Sequence, residues 1–163
     1  MIIQYDKKAK KFIEAQDRIT KKRLKTGIEG LTFNPPKGDI KIMQGYNDNR
    51  QRLRIGKYRI IYKYIADNAI EILHIMNIDS RGDIYKRWWR FIIMSNTAQQ
   101  VANMIDMLPE NDQQLAFELI KKLVLAWDPD FTKVTPQEAK ELEEAEQNLK
   151  NGEVVSHDDI DWD

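Results

Sequence analysis

The sequence predicts an α+β chain in two parts: a strand, a helix hairpin and an antiparallel meander sheet, then an α-helical part with an extended acidic C-terminal segment. Three observations carry this. The apolar period is helical up to Phe33, changes to two between Ile40 and Ile78, and becomes helical again from Thr97. The charge is divided: Met1 to Ile93 holds 21 basic and 10 acidic residues, and Met94 to Asp163 holds 5 basic and 16 acidic. A net charge of zero thus conceals two opposite polyelectrolytes, a pattern that places a nucleic-acid-facing part beside an acidic one. Finally, the 163 residues include no Cys, which excludes a disulfide or thiolate-metal framework. Each small part is then near the size where one core is only marginally stable and must gain stability by packing on the other.

Ile2 to Tyr5 reads as a strand that stops at Asp6, a good helix N-cap, after which Ala9, Phe12, Ile13 and Gln16 fall at helical spacing. A second helix from about Arg18 to Phe33 carries Ile19, Leu24, Ile28 and Leu31 and ends at Asn34-Pro35-Pro36-Lys37-Gly38. The strands Ile40 to Met43, Gln51 to Ile55, Tyr58 to Ala66 and Ile70 to Ile78 are separated by turn sequences at Gly45 to Asp48, Gly56-Lys57 and Asp67-Asn68.

In the second part, Val101, Met104, Ile105 and Leu108, and after Pro109 Leu115, Leu119, Leu123, Val124 and Trp127, predict two amphipathic helices. Thr135-Pro136-Gln137-Glu138 supplies an N-cap, a Pro at the first helical position and a Glu at the third, starting a helix that ends near Gly152. Its apolar stripe of Ala139, Leu142, Ala145 and Leu149 is too narrow to build a core alone and needs a partner surface. The last segment, Val154 to Asp163, alternates acids with Ile160 and Trp162 and suits an extended strip anchoring two apolar side chains in a basic groove. The predicted organisation is therefore residues 1–87, a linker at 88–93, and 94–163, the last divided into a helical pair at 94–130 and a helix with acidic strip at 135–163.

The boundary Arg87-Trp88-Trp89-Arg90-Phe91-Ile92-Ile93-Met94 reads as a fusion scar. With AGG for Arg and the obligatory TGG for Trp, its codons would form a purine-rich ribosome-binding sequence, an A/T-rich spacer and an ATG. The other reading is an ordinary buried aromatic linker.

Arg50, Arg52 and Arg54 alternate on one strand and so share a sheet face, with Arg59 on the next strand and Arg81 and Tyr85 in the basic segment beyond. Like charges packed along a strand are destabilising unless an anion or acidic partner meets them. Phosphate-backbone binding by the planar guanidinium is the natural reading, and a solvated face the plain one. His74 lies in an apolar run and reads as a packed core residue. His157 beside Asp158 and Asp159 makes a poor ligand set, so neither a metal nor a cofactor is expected. No run reaches the roughly 18 apolar residues of a spanning helix, and the start lacks a cationic region followed by a long apolar one. The expectation is a cytoplasmic protein with no membrane partner.

Gly45 with Arg50-Gln-Arg-Leu-Arg-Ile-Gly-Lys-Tyr-Arg-Ile-Ile-Tyr62, and Ile78-Asp-Ser-Arg-Gly-Asp-Ile-Tyr-Lys86, resemble the two hallmark blocks of RelE/ParE-superfamily toxins. The resemblance spans Met1 to about Arg87. The second half, from Trp127-Asp-Pro-Asp-Phe131 through Thr135-Pro-Gln-Glu-Ala139 to Ile160-Asp-Trp162, is similar to the small antitoxin encoded beside such a toxin. The resemblance implies a RelE-like toxin acting as a ribosome-dependent mRNA endonuclease, in which the RNA 2′-OH attacks the adjacent phosphate. Arg59 would stabilise the phosphorane, Arg81 would assist the phosphate or leaving group, and Tyr85 would orient RNA or transfer a proton. Arg52 and Arg54 would bind or activate the RNA, and Arg50, Lys57, Lys86 and Arg87 would contact it. Asp79 stands where some members have Arg.

The implied partners are mRNA and the ribosome for the free toxin half. The antitoxin half would cover the toxin through Leu142, Leu149, Ile160 and Trp162, with Glu or Asp meeting the arginines. On one chain the halves meet at an effective concentration on the order of millimolar, in cis or swapped between two copies, which makes the chain a silenced toxin. The Leu115 to Trp127 helices offer a homodimer surface. Operator DNA binding has little electrostatic footprint, since Met94 to Trp127 holds only Lys121 and Lys122 as cations. Two rivals stay open: a ParE-like gyrase poison on the same fold, and a non-catalytic RNA-binding protein with an acidic autoinhibitory tail.

Overall fold

The computed structural model describes residues 1–67, 70–80, 95–130 and 132–163. The chain divides into two compact units, Met1–Ile84 with Phe131–Asp163, and Tyr85–Asp130. The expected linker at 88–93 and the basic segment from Arg81 to Arg87 lie outside the described residues.

In the first unit, β1 (Ile2–Asp6) runs directly into α1 (Lys7–Glu14). The Asp6 carboxylate accepts from the Lys8 backbone N–H at 2.8 Å, satisfying one of the donors a helix leaves open. Asp17 caps α2 (Arg18–Gly30) in the same way, accepting from Thr20 N at 2.9 Å. The buried stripe of α2 is Thr20, Lys21, Leu24 and Ile28, continued by Leu31, while Ile19 is 75% exposed. Five residues separate Ile19 from Leu24, about 140° around the helix, whereas Lys21 is one turn back from Leu24 and takes the inward place. A Cβ at Gly27 would meet the end of the Ile55 side chain, so this helix sits close on the sheet at that point.

Strands β2 (Asp39–Ile42), β3 (Gln51–Ile55), β4 (Tyr58–Asp67) and β5 (Ile70–Ser80) form the antiparallel meander. Gly56, at φ +62°, supplies the left-handed turn residue between β3 and β4. The sheet is mixed rather than wholly antiparallel. Its order is β2-β3-β4-β5-β1-β6, with β1 parallel to β5 and β6 (Val154–Ser156) antiparallel to β1. The long excursion through two helices and three strands between β1 and β5 makes the parallel pairing possible, because no tight hairpin dictates their direction.

Alternation sorts the sheet residues onto two faces. Tyr5, Leu53, Ile60, Tyr62, Leu73 and Ile75 meet α1 and α2 in the larger core. On the other face Met43, Ile61 and Met76 pack with Leu142 and Ala145 of α5 (Pro136–Lys150). A bulge shifts the register from Ile61↔Asn77 to Tyr62↔Ile75. The extra residue changes the phase of β5, so that His74, Asn77 and Asp79 lie opposite Lys63, Ile61 and Arg59 and share the α5 side.

The second unit holds α3 (Asn96–Asp106), capped by Ser95 on Ala98 N at 3.1 Å, and α4 (Glu110–Trp127), which starts after Pro109 with Glu110 and Asp112 in its first turn. Val101, Met104, Leu115, Leu119, Leu123 and Trp127 are exposed. Among the described residues no helix is long and apolar enough to cross a membrane. An α+β N-terminal domain built on a mixed sheet, followed by helical segments, describes the chain.

Candidate functional site: a basic sheet face beneath an acidic helix

Strands β3 and β4, with Arg50 just before β3, bring Arg50, Arg52, Arg54, Arg59 and Lys63 together on the face turned away from α1 and α2. Arg50, Arg52 and Arg59 are buried, and Arg54 stays exposed. Burying several cations on one face is costly unless each finds an anion.

The anions come from two sources. The first is the same half of the chain. Arg52 Nη1 donates to both the backbone carbonyl and Oδ1 of Asp39, each at 2.6 Å, and Arg54 Nε reaches Oδ2 of the same carboxylate at 2.8 Å. The Arg52 hydrogen bond, helped by the Arg54 charge, holds the Asp39 carboxyl below its usual range. Arg50 grips Asp48 through Nε and Nη2, the latter at 2.6 Å, stacks over the Tyr46 ring at 3.8 Å, and keeps Asp48 well below the ordinary carboxylate range.

The second source is α5. Its capping box forms as the sequence specifies: Thr135 Oγ1 accepts from Glu138 N, and Glu138 Oε2 accepts from Thr135 N at 2.7 Å. The other oxygen of Glu138 pairs with Arg59 Nη2, and Arg59 Nη1 donates to Lys133 O at 2.9 Å. Two turns on, Glu146 Oε1 accepts from Arg50 Nη2 and from Lys63 Nζ, both at 2.7 Å. Glu138, Leu142, Ala145 and Glu146 stand at i, i+4, i+7 and i+8, so one helix face presents an acid, two apolar contacts and an acid. Leu142 is fully buried, and Leu149 stays half-buried.

His74 sits under the same helix with no exposed surface, flanked across strands by Gln4 and Lys63. Neither ring nitrogen has a hydrogen-bond partner among the described residues. Burial is the main cause that pushes its pKa down to about 4, so the imidazole is neutral near pH 7. That agrees with a packed residue rather than a base.

The C-terminal strip crosses the β1 edge and continues on the α1–α2 side. After β6, the His157 ring is hydrogen-bonded through Nδ1 to the Tyr5 hydroxyl at 2.7 Å and faces Glu29 through Nε2 at 3.4 Å. Ile160 enters the larger core, and Trp162 lies edge-on to Tyr5, donates from Nε1 to His157 O at 3.2 Å, and has the Lys25 ammonium 5.7 Å from its ring. Lys21, only 4% exposed, donates to Asp161 Oδ2 and Asp163 O. The groove for Ile160 is thus apolar, with lysines at its rim, rather than basic throughout.

Of the residues expected at a site, Arg50, Arg52, Arg54 and Arg59 share one face. Lys57 lies in the exposed β3–β4 turn, apart from them, and Arg81, Tyr85, Lys86 and Arg87 are outside the described residues. Asp39, Lys63, Glu138 and Glu146 were not singled out from the sequence. Glu138 was visible only as a helix-capping residue, and Asp39 and Lys63 carried no distinguishing pattern.

Residues 3–85 match the family described as the ParE toxin of the type II toxin-antitoxin system, parDE. Among curated proteins no relative matches. Among solved structures, the chain is similar to the crystal structure of the RelB-RelE antitoxin-toxin complex from Methanococcus jannaschii, at 25% identity and a TM-score of 0.39, over 52% of this chain and 96% of that one. The ParE match corrects the expectation of an mRNA interferase. ParE-family toxins poison gyrase and are not endoribonucleases, so the nuclease roles assigned to Arg59, Arg81, Tyr85, Arg52 and Arg54, the RNA contacts of Arg50, Lys57, Lys86 and Arg87, and the partnership with mRNA and ribosome are withdrawn. The physical reason agrees: a basic face suits any phosphate-bearing or acidic partner, and spacing alone does not distinguish a nuclease from a binder. The match covers just over half of the sequence, and the chain belongs to the ParE toxin family of type II toxin-antitoxin systems.

Proposed function

We propose that the chain is a toxin and its antitoxin in one polypeptide, with residues 1–87 a ParE-type toxin directed at DNA gyrase, 88–93 a fusion linker, and 94–163 the antitoxin that silences it. The family match covers the first part, and the −11 charge balance of the second part suits the role of a cover. The observation that carries the reading is the pairing of Glu138 and Glu146 of α5 with Arg59, Arg50 and Lys63, cations of the toxin half of which the two arginines are buried. Leu142, Ile160 and Trp162 supply the apolar contacts, and Leu149 a peripheral one. In this reading Arg50, Arg52, Arg54 and Arg59 form the toxin's working face, engaged by gyrase when α5 is displaced.

The test uses the full chain beside a Glu138→Arg, Leu142→Asp variant that repels α5 from the face. The full chain leaves gyrase supercoiling unchanged and is tolerated on induction. The variant stabilises gyrase-cleaved DNA and arrests growth, and adding Arg59→Ala to it restores growth. An opened variant that neither affects gyrase nor arrests growth overturns the reading, as does arrest with intact gyrase activity.

A further inference from the structure

Among the described residues, the acidic second half leaves a group of cations on α2 uncovered. Lys7 pairs with Glu153, Lys8 with Glu144, and Lys21 with Asp161. Arg18, Lys22 and Arg23, on the outer face of α2, are exposed and make no ion pair among the described residues. Arg23 extends to the β3–β4 turn, where its Nη2 stands 3.1 Å from where a Cβ of Gly56 would be; Lys57, the next residue of that turn, is exposed, with its ammonium 5.2 Å from the Tyr58 ring centre. Arg18, Lys22, Arg23 and the 75% exposed Ile19 thus form one surface on the side of α2 away from its buried stripe, and Lys57 stands at its edge in the turn that Arg23 reaches.

This arrangement costs the isolated protein free energy. Arg18 and Lys22 are like charges one turn apart, which destabilises a helix. The first turn of α2 carries cations and no acid, against the preference of the helix dipole. The acid at this end is Asp17, the N-cap, which accepts from Thr20 N and Oγ1 and makes no ion pair with Arg18 or Lys22 among the described residues. An external anion offsets all of these terms together.

We infer that the outer face of α2, with Lys57, binds the phosphate backbone of duplex DNA, and that it does so in the full chain while α5 still covers the opposite sheet face. Side chains about 6 Å apart along the helix axis can reach successive phosphates of one strand. Duplex DNA is favoured over single-stranded nucleic acid because Arg18, Ile19, Lys22, Arg23 and Thr26 offer no aromatic ring on which an unpaired base could stack. Ile19 beside the cations suits deoxyribose and the thymine methyl, which RNA lacks. The surface lies on α2 rather than on α3 and α4, where the only cations are Lys121 and Lys122 and Lys121 is tied to Glu118. The inference is independent of the gyrase reading, since DNA binding by the silenced chain involves neither gyrase nor displacement of α5.

The experiment measures fluorescence anisotropy of a labelled 20-base-pair duplex with the full chain from low to moderate salt, beside a single-stranded RNA of equal length. Three variants accompany it: Arg18→Glu with Lys22→Glu, Lys57→Glu, and Lys121→Glu with Lys122→Glu as a charge-matched control, each checked by circular dichroism. The expected result is saturable duplex binding whose log affinity falls with log salt at a slope of about −3 to −4, as four phosphate contacts require. The α2 variant loses tenfold or more, Lys57→Glu loses less, and the control keeps wild-type affinity. Absence of duplex binding at low salt, equal loss in the α2 and control variants, or tighter binding of the RNA overturns the inference.

Discussion

The Glu138 carboxylate belongs to two structures at once: one oxygen closes the capping box of α5 on Thr135 N, and the other meets the buried guanidinium of Arg59. The start of the helix and its attachment to the sheet are therefore one feature. Glu138→Gln keeps a capping side chain but removes the charge, and Glu138→Ala removes both. Removing the Glu138 carboxylate from the buried Arg59 costs about 3 kcal/mol, and loss of the cap adds about 1 kcal/mol. Hydrogen exchange over residues 132–150 is expected to accelerate in both variants, more in the Ala one. Unchanged protection in Glu138→Ala would show that the pair does not hold α5.

The apolar part of that attachment is concentrated at Leu142. Leu142→Ala, at a fully buried position between Met43, Ile61 and Met76, is expected to cost about 2–4 kcal/mol. Leu149→Ala, at a half-buried position, is expected to cost no more than about 1 kcal/mol. Urea titration separates the two, and equal costs would contradict the packing described.

His74 gives the chain an acid-side weakness. Its folded pKa, pushed down to about 4 chiefly by burial, lies below the roughly 6.5 of an unfolded chain. Asp6 and Glu146 oppose that shift and Lys63 adds to it. The unfolded state therefore binds the extra proton first. Stability is fully present above about pH 6.5 and is lost as pH falls toward 4, by up to about 3 kcal/mol. Chemical denaturation at pH 7 and pH 5 should show this slope in the wild type and its reduction in His74→Leu. Parallel pH dependence in both proteins would remove His74 as the cause.

Lys21 occupies an inward position of α2 that an apolar residue could fill. Its partners, Asp161 and Asp163, lie at the exposed C-terminal strip, so replacing the lysine leaves no buried acid unpaired. Lys21→Met is expected to be neutral or stabilising by up to about 1 kcal/mol in thermal unfolding. Asp161→Ala, which leaves the lysine buried with only the Asp163 carbonyl, is expected to destabilise. A large loss in Lys21→Met would mean that the ion pair itself holds the strip.

The local signals were legible where one residue type has one physical job. Asp6 as a cap, Thr135 to Glu138 as a capping box, Gly56 in a turn and the period of two through the meander all lie where the sequence places them. Long-range pairings were not. Nothing in Ile2 to Tyr5 tells which strand it joins or in which direction, and Val154 to Ser156 is too short to announce itself as a sheet strand. The bulge at Met76, which brings Asn77 and Asp79 to the arginine face, leaves no mark in the alternation. The choice of Ile19 for the buried stripe followed hydrophobicity over phase, and the helix obeys phase. The grouping of the arginines was readable from their spacing, but their division between Asp39 and Asp48 on one hand and Glu138 and Glu146 on the other depends on packing that no local window contains.

The strand β6 joins Gln4 to Ser156, and the neighbouring Tyr5 and His157 are 152 residues apart in sequence. A contact of such separation forms only after nearly the whole chain has been made and the long loop between its ends has closed, which slows its arrival. With only three residues of ladder, it is also the shortest pairing of the sheet and is expected to open before the longer ones. Each opening bares the backbone of Gln4, Tyr5 and Asp6 in β1, next to Ile2 and Ile3 of the same strand, as an unpaired edge able to template a strand from another molecule. The terminal residues beyond the ladder, with Ile160 seated in the core, act as a clasp that shortens those exposures, so trimming the last few residues should turn a well-behaved protein into an aggregating one before it measurably unfolds it.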